Sequence, residues 1–229
     1  MPPAPKVGGT LQAATNDFYY NSLRLIAANV VWGALLLLVV ALAIVSLGFS
    51  LLVFLLILPI PTAIMFRMAA LIQRGQPVTL SDAFAFRLVA RRGLGAGLAI
   101  GSGSLVLIYN VIVGFASNST FGWAFATTAF WGLLILWFVS ASLWPLLFDP
   151  VRQDESIRTL IKLAFIIILV KPGRYFLLMA VVGGILFIST ILAAAIVTIS
   201  MAFVALVLAE YAIPAADRIE GRHTFVVIS

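Results

Sequence analysis

Few residues of this chain of 229 could perform catalysis or bind a metal ion. Cysteine is absent, which excludes disulfides, thiolate metal sites and cysteine nucleophiles. The single histidine, His223, lies near the C-terminus, and we expect it to be solvated. Asp149, Asp154 and Glu155 share one loop, but without histidine or a metal-ligand spacing we expect solvated carboxylates. The sequence therefore predicts no catalytic residue, no metal and no cofactor.

Other polar side chains lie inside long apolar segments. Glu210 is the acidic residue closest to the middle of such a segment, and we expect it to reach lipid head groups or to pair with an arginine. Asparagine and hydroxyl side chains in these segments could tie helices together or line a solute pathway, and both alternatives stay open. They are Asn29, Ser102, Ser104, Asn110, Thr127, Thr128, Ser140, Ser142, Ser189, Thr190, Thr198 and Ser200.

The composition is that of a membrane protein. Hydrophobic residues make up 63% of the chain and charged residues 10%, whereas soluble domains carry about 25% charged residues. Several apolar runs exceed the ~18 residues needed to cross a bilayer. The sequence predicts an all-α, polytopic transmembrane helical bundle that forms a single domain over residues 1–229. The net charge of +6 comes from basic residues that flank apolar runs, so we expect no nucleic-acid partner.

We expect about six spans, arranged as three hairpins. Pro59 and Pro61 should interrupt the second span, because proline disrupts the helical hydrogen-bond pattern. Residues 1–21 and 212–229 are predicted to be cytoplasmic tails. The predicted spans cover about 25–47, 49–73, 93–116 and 123–147, with two more in 175–211 that turn near 189–195.

Two short basic segments, residues 81–92 and 156–170, should join the hairpins as interfacial helices. The alternative that 156–170 spans the membrane remains open. It is disfavoured, since it would place Lys171 and Arg174 on the far side. The basic residues expected at lipid head groups or at the interface are Arg67, Arg74, Arg87, Arg91, Arg92, Arg158, Lys162, Lys171 and Arg174.

The basic residues also predict an orientation. All 14 Lys and Arg residues fall on one side of this arrangement, and the turns on the other side carry no charge. Cytoplasmic loops of membrane proteins are enriched in Lys and Arg. We therefore expect a protein of the cytoplasmic (inner) membrane with both termini in the cytoplasm.

A strip of small residues opens the third predicted span. Gly93, Gly97 and Gly101 follow each other at four-residue spacing and so lie on one helical face. Such a strip lets another helix approach closely. We expect it to pack against a neighbouring span, with contact to a partner protein as the alternative.

Three segments resemble the YesL-like family of bacterial integral membrane proteins, a family of unknown function. They are LRLIAANVVWGALL, LPIPTAIMFRMAALIQRGQPVTLSDAF and LWPLLFDPVRQDESIRTLIKLAFIIILVKPGRYFLL. The proline-rich start and the very apolar second basic segment depart from the family pattern. Members often occur beside carbohydrate-uptake systems, so the resemblance implies a bacterial accessory protein and supplies no catalytic residue.

Three functions agree with these observations. The first is a non-enzymatic accessory or scaffold subunit that packs within a larger membrane assembly, with a transport assembly as one candidate. The second is a small-solute transporter or channel, in which the polar residues of the spans would share a hydrated cavity. The third is a cofactor-free subunit of a respiratory or photosynthetic complex. In each case the expected partners are the lipid bilayer and, for the first and third, other membrane subunits.

Overall fold

The computed structural model describes residues 6–84, 86–192 and 195–222. Within these ranges the chain is helical, with short turns and no β-strand, and six helices are long and apolar enough to cross a membrane. The predicted all-α bundle with six spans is therefore confirmed. Its α-helices are α1 (Val7–Val45), α2 (Leu47–Leu56), α3 (Pro59–Gln73), α4 (Phe86–Ala116), α5 (Thr120–Leu147), α6 (Ile157–Val170), α7 (Pro172–Ile191) and α8 (Met201–Ile219).

The first hairpin consists of α1 and the broken span α2–α3. Ser46 separates its two arms, and the Ser46 hydroxyl accepts a hydrogen bond from the Phe49 backbone N–H at the start of α2. The second arm breaks as predicted: α2 ends at Leu56 and α3 begins at Pro59, where a missing N–H is harmless. The predicted N-terminal tail is helical from Val7 onward, because α1 starts there and buries Val7 on the bundle.

The second hairpin consists of α4 and α5. Ser119 caps α5 by accepting a hydrogen bond from the Gly122 backbone N–H. The separate interfacial helix expected over residues 81–92 does not form. A 3-10 helix, Leu80–Phe84, is followed by α4, which runs without interruption from Phe86. The helix continues because no proline or capping residue separates the basic turn from the apolar span.

The third hairpin consists of α7 and α8. It turns between Ile191 and a π-helical turn at Ile196–Ser200, where the sequence places the reversal. Helix α8 continues to Ile219, so the predicted tail from residue 212 is helical over its first two turns. This extension is stable because α8 still faces the core there, with Ile213 and Ala216 fully buried.

Helix α6 precedes this hairpin and differs from the spans. Its 14 residues reach only about 21 Å, less than a bilayer core, and it is not among the six candidate spans. One side of α6 is buried and the other is exposed, which favours the interfacial interpretation over a span. The buried residues are Leu160, Leu163, Ala164 and Ile167.

Helix α8 forms the centre of the bundle and packs against α1, α3 and α5. Asn29 of α1 joins it to the first hairpin: the amide nitrogen donates to the Val197 carbonyl, and the amide oxygen accepts from the Ala202 N–H at 2.7 Å. We call the end of the bundle that holds Arg74, residues 149–156 and the end of α8 the charged end. The opposite end, with the turns at residue 46, at residues 117–119 and after Ile191, is the uncharged end.

Candidate functional site

An ion cluster at the charged end joins all three hairpins. Arg74, directly after α3, binds two carboxylates in bidentate fashion. Its contacts to Asp149 measure 2.7 and 3.0 Å, and those to Asp217 also measure 2.7 and 3.0 Å. Asp149 follows α5, and Asp217 lies in the last turn of α8. Planar guanidinium groups suit this geometry, because two parallel donors match the two oxygens of a carboxylate.

Arg152 completes the cluster from the short 3-10 helix Pro150–Arg152. Its side chain is fully buried, as is that of Asp149. It donates to Asp149, to Asp217 at 2.7 Å and to Glu220. We call Arg74, Asp149, Arg152, Asp217 and Glu220 the ion cluster. Its two arginines and three carboxylates are held by mutual contacts that replace water.

The electrostatics of the cluster favour permanent charge on both arginines. Burial alone lowers the pKa of Arg74, but the hydrogen bonds to Asp149 and Asp217 outweigh burial and raise the pKa. The pKa of Arg152 is raised in the same way, mainly by Glu220 and Asp217. Because every carboxylate of the cluster already accepts from an arginine, the cluster is suited to holding helices together rather than to transferring protons.

Further contacts surround the cluster. Arg222 pairs with Glu155 and, at 2.9 Å, with Glu220. Arg92 at the start of α4 donates to the backbone carbonyls of Leu147, Gln153 and Glu155. The loop between α5 and α6 is therefore held from two sides.

Three of the nine basic residues assigned to lipid head groups have partners within the protein. Arg74 lies in the ion cluster, Arg92 binds carbonyls, and Arg67 pairs with Asp82 at 3.4 Å. These partners are distant in sequence or lie in loops. Local sequence patterns did not indicate them, so lipid head groups were the expected partners. Arg174 is half-buried, and for the remaining five, lipid contact stays a prediction. Those five are exposed: Arg87, Arg91, Arg158, Lys162 and Lys171.

The glycine strip packs inside the chain. A Cβ atom added at Gly93 would lie 2.7 Å from the Ala63 side chain, and one at Gly97 would overlap the ring of Pro59. At Gly101 the nearest atom would belong to Leu55, at 2.7 Å. The strip thus lets α4 approach the broken second span, as the first of the two alternatives predicted.

The polar residues of the spans form separate local contacts. Trp137 Nε1 donates to Ser104 at 3.0 Å, and Ser142 donates to the Tyr175 hydroxyl at 2.8 Å. Glu210 shares a hydrogen bond with Asp17 of α1. His223 lies outside the described residues. Within the described residues no group of three or more histidine and acidic side chains could hold a metal ion.

A cavity of about 950 Å³ opens between α4, α5 and α6, and we call it the lateral groove. Gly95, Gly103 and Gly132 supply small residues on its walls, and Phe165 closes it from α6. Neither Asn29 nor Asn110 lines it. Among the described residues that line it, the polar side chains are those of Ser102 and Ser140, and both hydroxyls donate to carbonyls of their own helices. The groove is therefore an apolar surface.

Six apolar spans, helix-tying polar pairs and an ion cluster at one end define the class of this chain as a polytopic helical membrane protein. Comparison with protein-family models, curated proteins and solved structures finds no match. The resemblance to the YesL-like family therefore stays a prediction.

Proposed function

We propose that this chain is a non-enzymatic accessory or scaffold subunit that binds another membrane protein. It would lie in the bacterial cytoplasmic membrane with its charged end and both termini in the cytoplasm, as the distribution of Lys and Arg favours. The resemblance to a family found beside carbohydrate-uptake systems favours a transport assembly as the partner.

The observation that carries this proposal is the exposure of α4, together with exposed aromatic side chains on both helices of the second hairpin. Only 11% of the most apolar window of α4 is buried, compared with 67% of that of the last span. Large aromatic side chains cover the hairpin near the uncharged end, and we call them the aromatic surface. They are Tyr109, Phe115, Phe121, Trp123, Phe125, Phe130 and Trp131.

The depth of the aromatic surface favours a protein contact. Aromatic residues that anchor a span sit at the level of the head groups. Phe121 and Trp131 are ten positions apart on α5, which corresponds to about 15 Å along the helix axis. The surface therefore extends well past one interfacial layer. Tyr, Trp and Phe are the residues most enriched at protein interfaces.

The polar residues of the spans support the same choice over a solute transporter. Asn29 is occupied by backbone groups at Val197 and Ala202, and Ser142 is occupied by Tyr175. A solute pathway needs polar groups that share one hydrated cavity, whereas the lateral groove is lined by apolar residues. The third alternative, a subunit of a respiratory or photosynthetic complex, is a special case of the accessory role.

The test is purification of the tagged chain from native membranes in a mild detergent, followed by mass spectrometry. We expect a stoichiometric membrane partner with the wild type and its loss with Trp123→Ala/Trp131→Ala. Phe187→Ala is the matched control, since Phe187 is an exposed aromatic residue of α7, and it should retain the partner. A wild-type chain that always purifies alone would overturn the proposal, and solute flux in liposomes would then be the next measurement.

A further inference from the structure

The lateral groove continues into a cationic surface at the charged end. A shallow, open depression along α6 is lined by Arg158 and Lys162. It shares Ile157, Ile161 and Phe165 with the lateral groove. The apolar lateral groove and two cationic side chains therefore form one continuous surface.

Arg91 supplies a third cation on α4, one helical turn before the opposite wall of the groove. It precedes Gly95 by four residues, so both lie on the same face of α4, and Gly95 lines the groove. Arg91, Arg158 and Lys162 are all exposed, and within the described residues none of them forms an ion pair. This sets them apart from the arginines of the ion cluster, whose charges are already matched by carboxylates.

We propose that the lateral groove binds one anionic phospholipid, with its acyl chains along the apolar walls and its phosphate between Arg158, Lys162 and Arg91. Basic pockets between spans at the cytoplasmic side of a membrane are suited to anionic head groups. The cavity volume of about 950 Å³ lies at the upper end of the ~300–1,000 Å³ range of small-molecule sites. A partner helix could fill the same apolar walls, but it gives no reason for three unpaired cations at the mouth.

Helix α6 is the element that builds this site. Its buried side anchors it to the bundle, and Ile157 and Ile161 turn toward the groove. Arg158 and Lys162 each follow one of these two isoleucines, so the same two turns supply both the apolar wall and the charges. The cationic residues of the lipid site lie at the other end of the hairpin from the aromatic surface, and no residue belongs to both the groove lining and that surface, so either proposal can fail without the other.

The test uses the purified full chain in detergent, titrated with palmitoyl-oleoyl phosphatidylglycerol or phosphatidylcholine, with bound lipid counted by native mass spectrometry. The wild type should prefer phosphatidylglycerol. Arg158→Gln/Lys162→Gln should weaken that preference about fivefold for each cation removed. Arg87→Gln/Lys171→Gln removes two exposed charges that line neither the lateral groove nor the depression along α6. This pair should leave the preference for phosphatidylglycerol unchanged. Equal loss in both pairs, or no loss in the first, would overturn the proposal.

A second pair of variants tests whether the apolar walls of the lateral groove bind the acyl chains. A Cβ atom at Gly95 meets nothing within 4 Å, and the same is true at Gly183 of α7. Gly95→Leu should therefore fold, fill the groove and reduce uptake of both lipids, while Gly183→Leu should not. Unchanged lipid uptake in Gly95→Leu would show that the acyl chains do not bind in the groove. If Gly95→Leu instead releases a co-purifying protein while lipid uptake stays constant, the occupant is a partner helix and the lipid proposal is wrong.

Discussion

Removing Arg152 from the ion cluster should destabilise the protein more than removing any exposed basic residue. Its side chain is fully buried, and it binds Asp149, Asp217 and Glu220. Deleting one partner of a buried ion pair costs about 3–5 kcal/mol, because the other charges are left without compensation. Arg74 still binds Asp149 and Asp217 in the variant, so we expect the lower end of this range, about 3 kcal/mol.

Arg152→Met is the suitable variant, since methionine keeps most of the apolar stem and removes only the charged group. For a chain of this size, ~1 kcal/mol corresponds to about 2–4 °C in the unfolding midpoint, so ~3 kcal/mol predicts a decrease of roughly 6–12 °C. The assay is thermal unfolding in detergent, followed by the fluorescence of the five tryptophans. Arg222→Met is the control: its side chain is 40% exposed, and exposed ion pairs contribute only about 0–1 kcal/mol.

A double variant separates the loss of charge balance from the loss of packing. In Arg152→Met, Asp149 and Asp217 share one remaining arginine. Asp149→Asn removes one of these negative charges, so Asp149→Asn/Arg152→Met should be more stable than the sum of the two single losses predicts. Strictly additive losses, or an Arg152→Met variant as stable as Arg222→Met, would show that the cluster does not hold the hairpins together.

Two further predictions concern the glycine strip and the loop before α4. Gly97→Val should destabilise the bundle by about 1–3 kcal/mol through overlap with Pro59, whereas Gly183→Val, which meets nothing within 4 Å, should change the unfolding midpoint little. A hydrogen bond from the Thr79 backbone N–H lowers the pKa of Asp82 below its ordinary value of 3.8. The Asp82 carboxylate therefore stabilises the fold above that pH. This stabilisation is lost as the pH falls through the lowered pKa. The difference in midpoint between wild type and Asp82→Asn should therefore shrink between about pH 6 and pH 3, and a constant difference would exclude this carboxylate as a source of acid sensitivity.

Hydrophobicity and helix-breaking residues made the spans predictable. The break at Pro59 and the reversal near residue 192 follow from local chemistry and from the limit that a bilayer sets on helix length. The helix ends were less predictable. Helix α4 begins at Phe86 because no proline or capping residue separates its basic turn from the apolar span. Helix α1 begins at Val7 because Val7, Thr10 and Ala14 are buried against other segments. Such contacts come from distant segments, which local patterns do not report.

The ion cluster was not predicted, because its members are far apart along the chain. Arg74 meets Asp149 across 75 positions and Asp217 across 143. A signal was nevertheless present, since Asp149, Asp217 and Glu220 all occur at the end that collects the basic residues. Arg74, considered alone, was expected to contact lipid head groups. Pairing the acidic and basic residues of the same end would have indicated internal ion pairs.

The contacts between the hairpins differ along the length of the bundle. At the charged end, three hairpins share buried ions whose loss is costly. Along the spans, the first two hairpins meet through apolar packing, such as Gly97 on Pro59 and the stacked rings of Phe66 and Trp144. Contacts of this kind lack the geometric constraint of a bidentate ion pair. The first two hairpins are therefore joined in two ways, by ion pairs of fixed geometry at the charged end and by apolar side-chain packing along the spans.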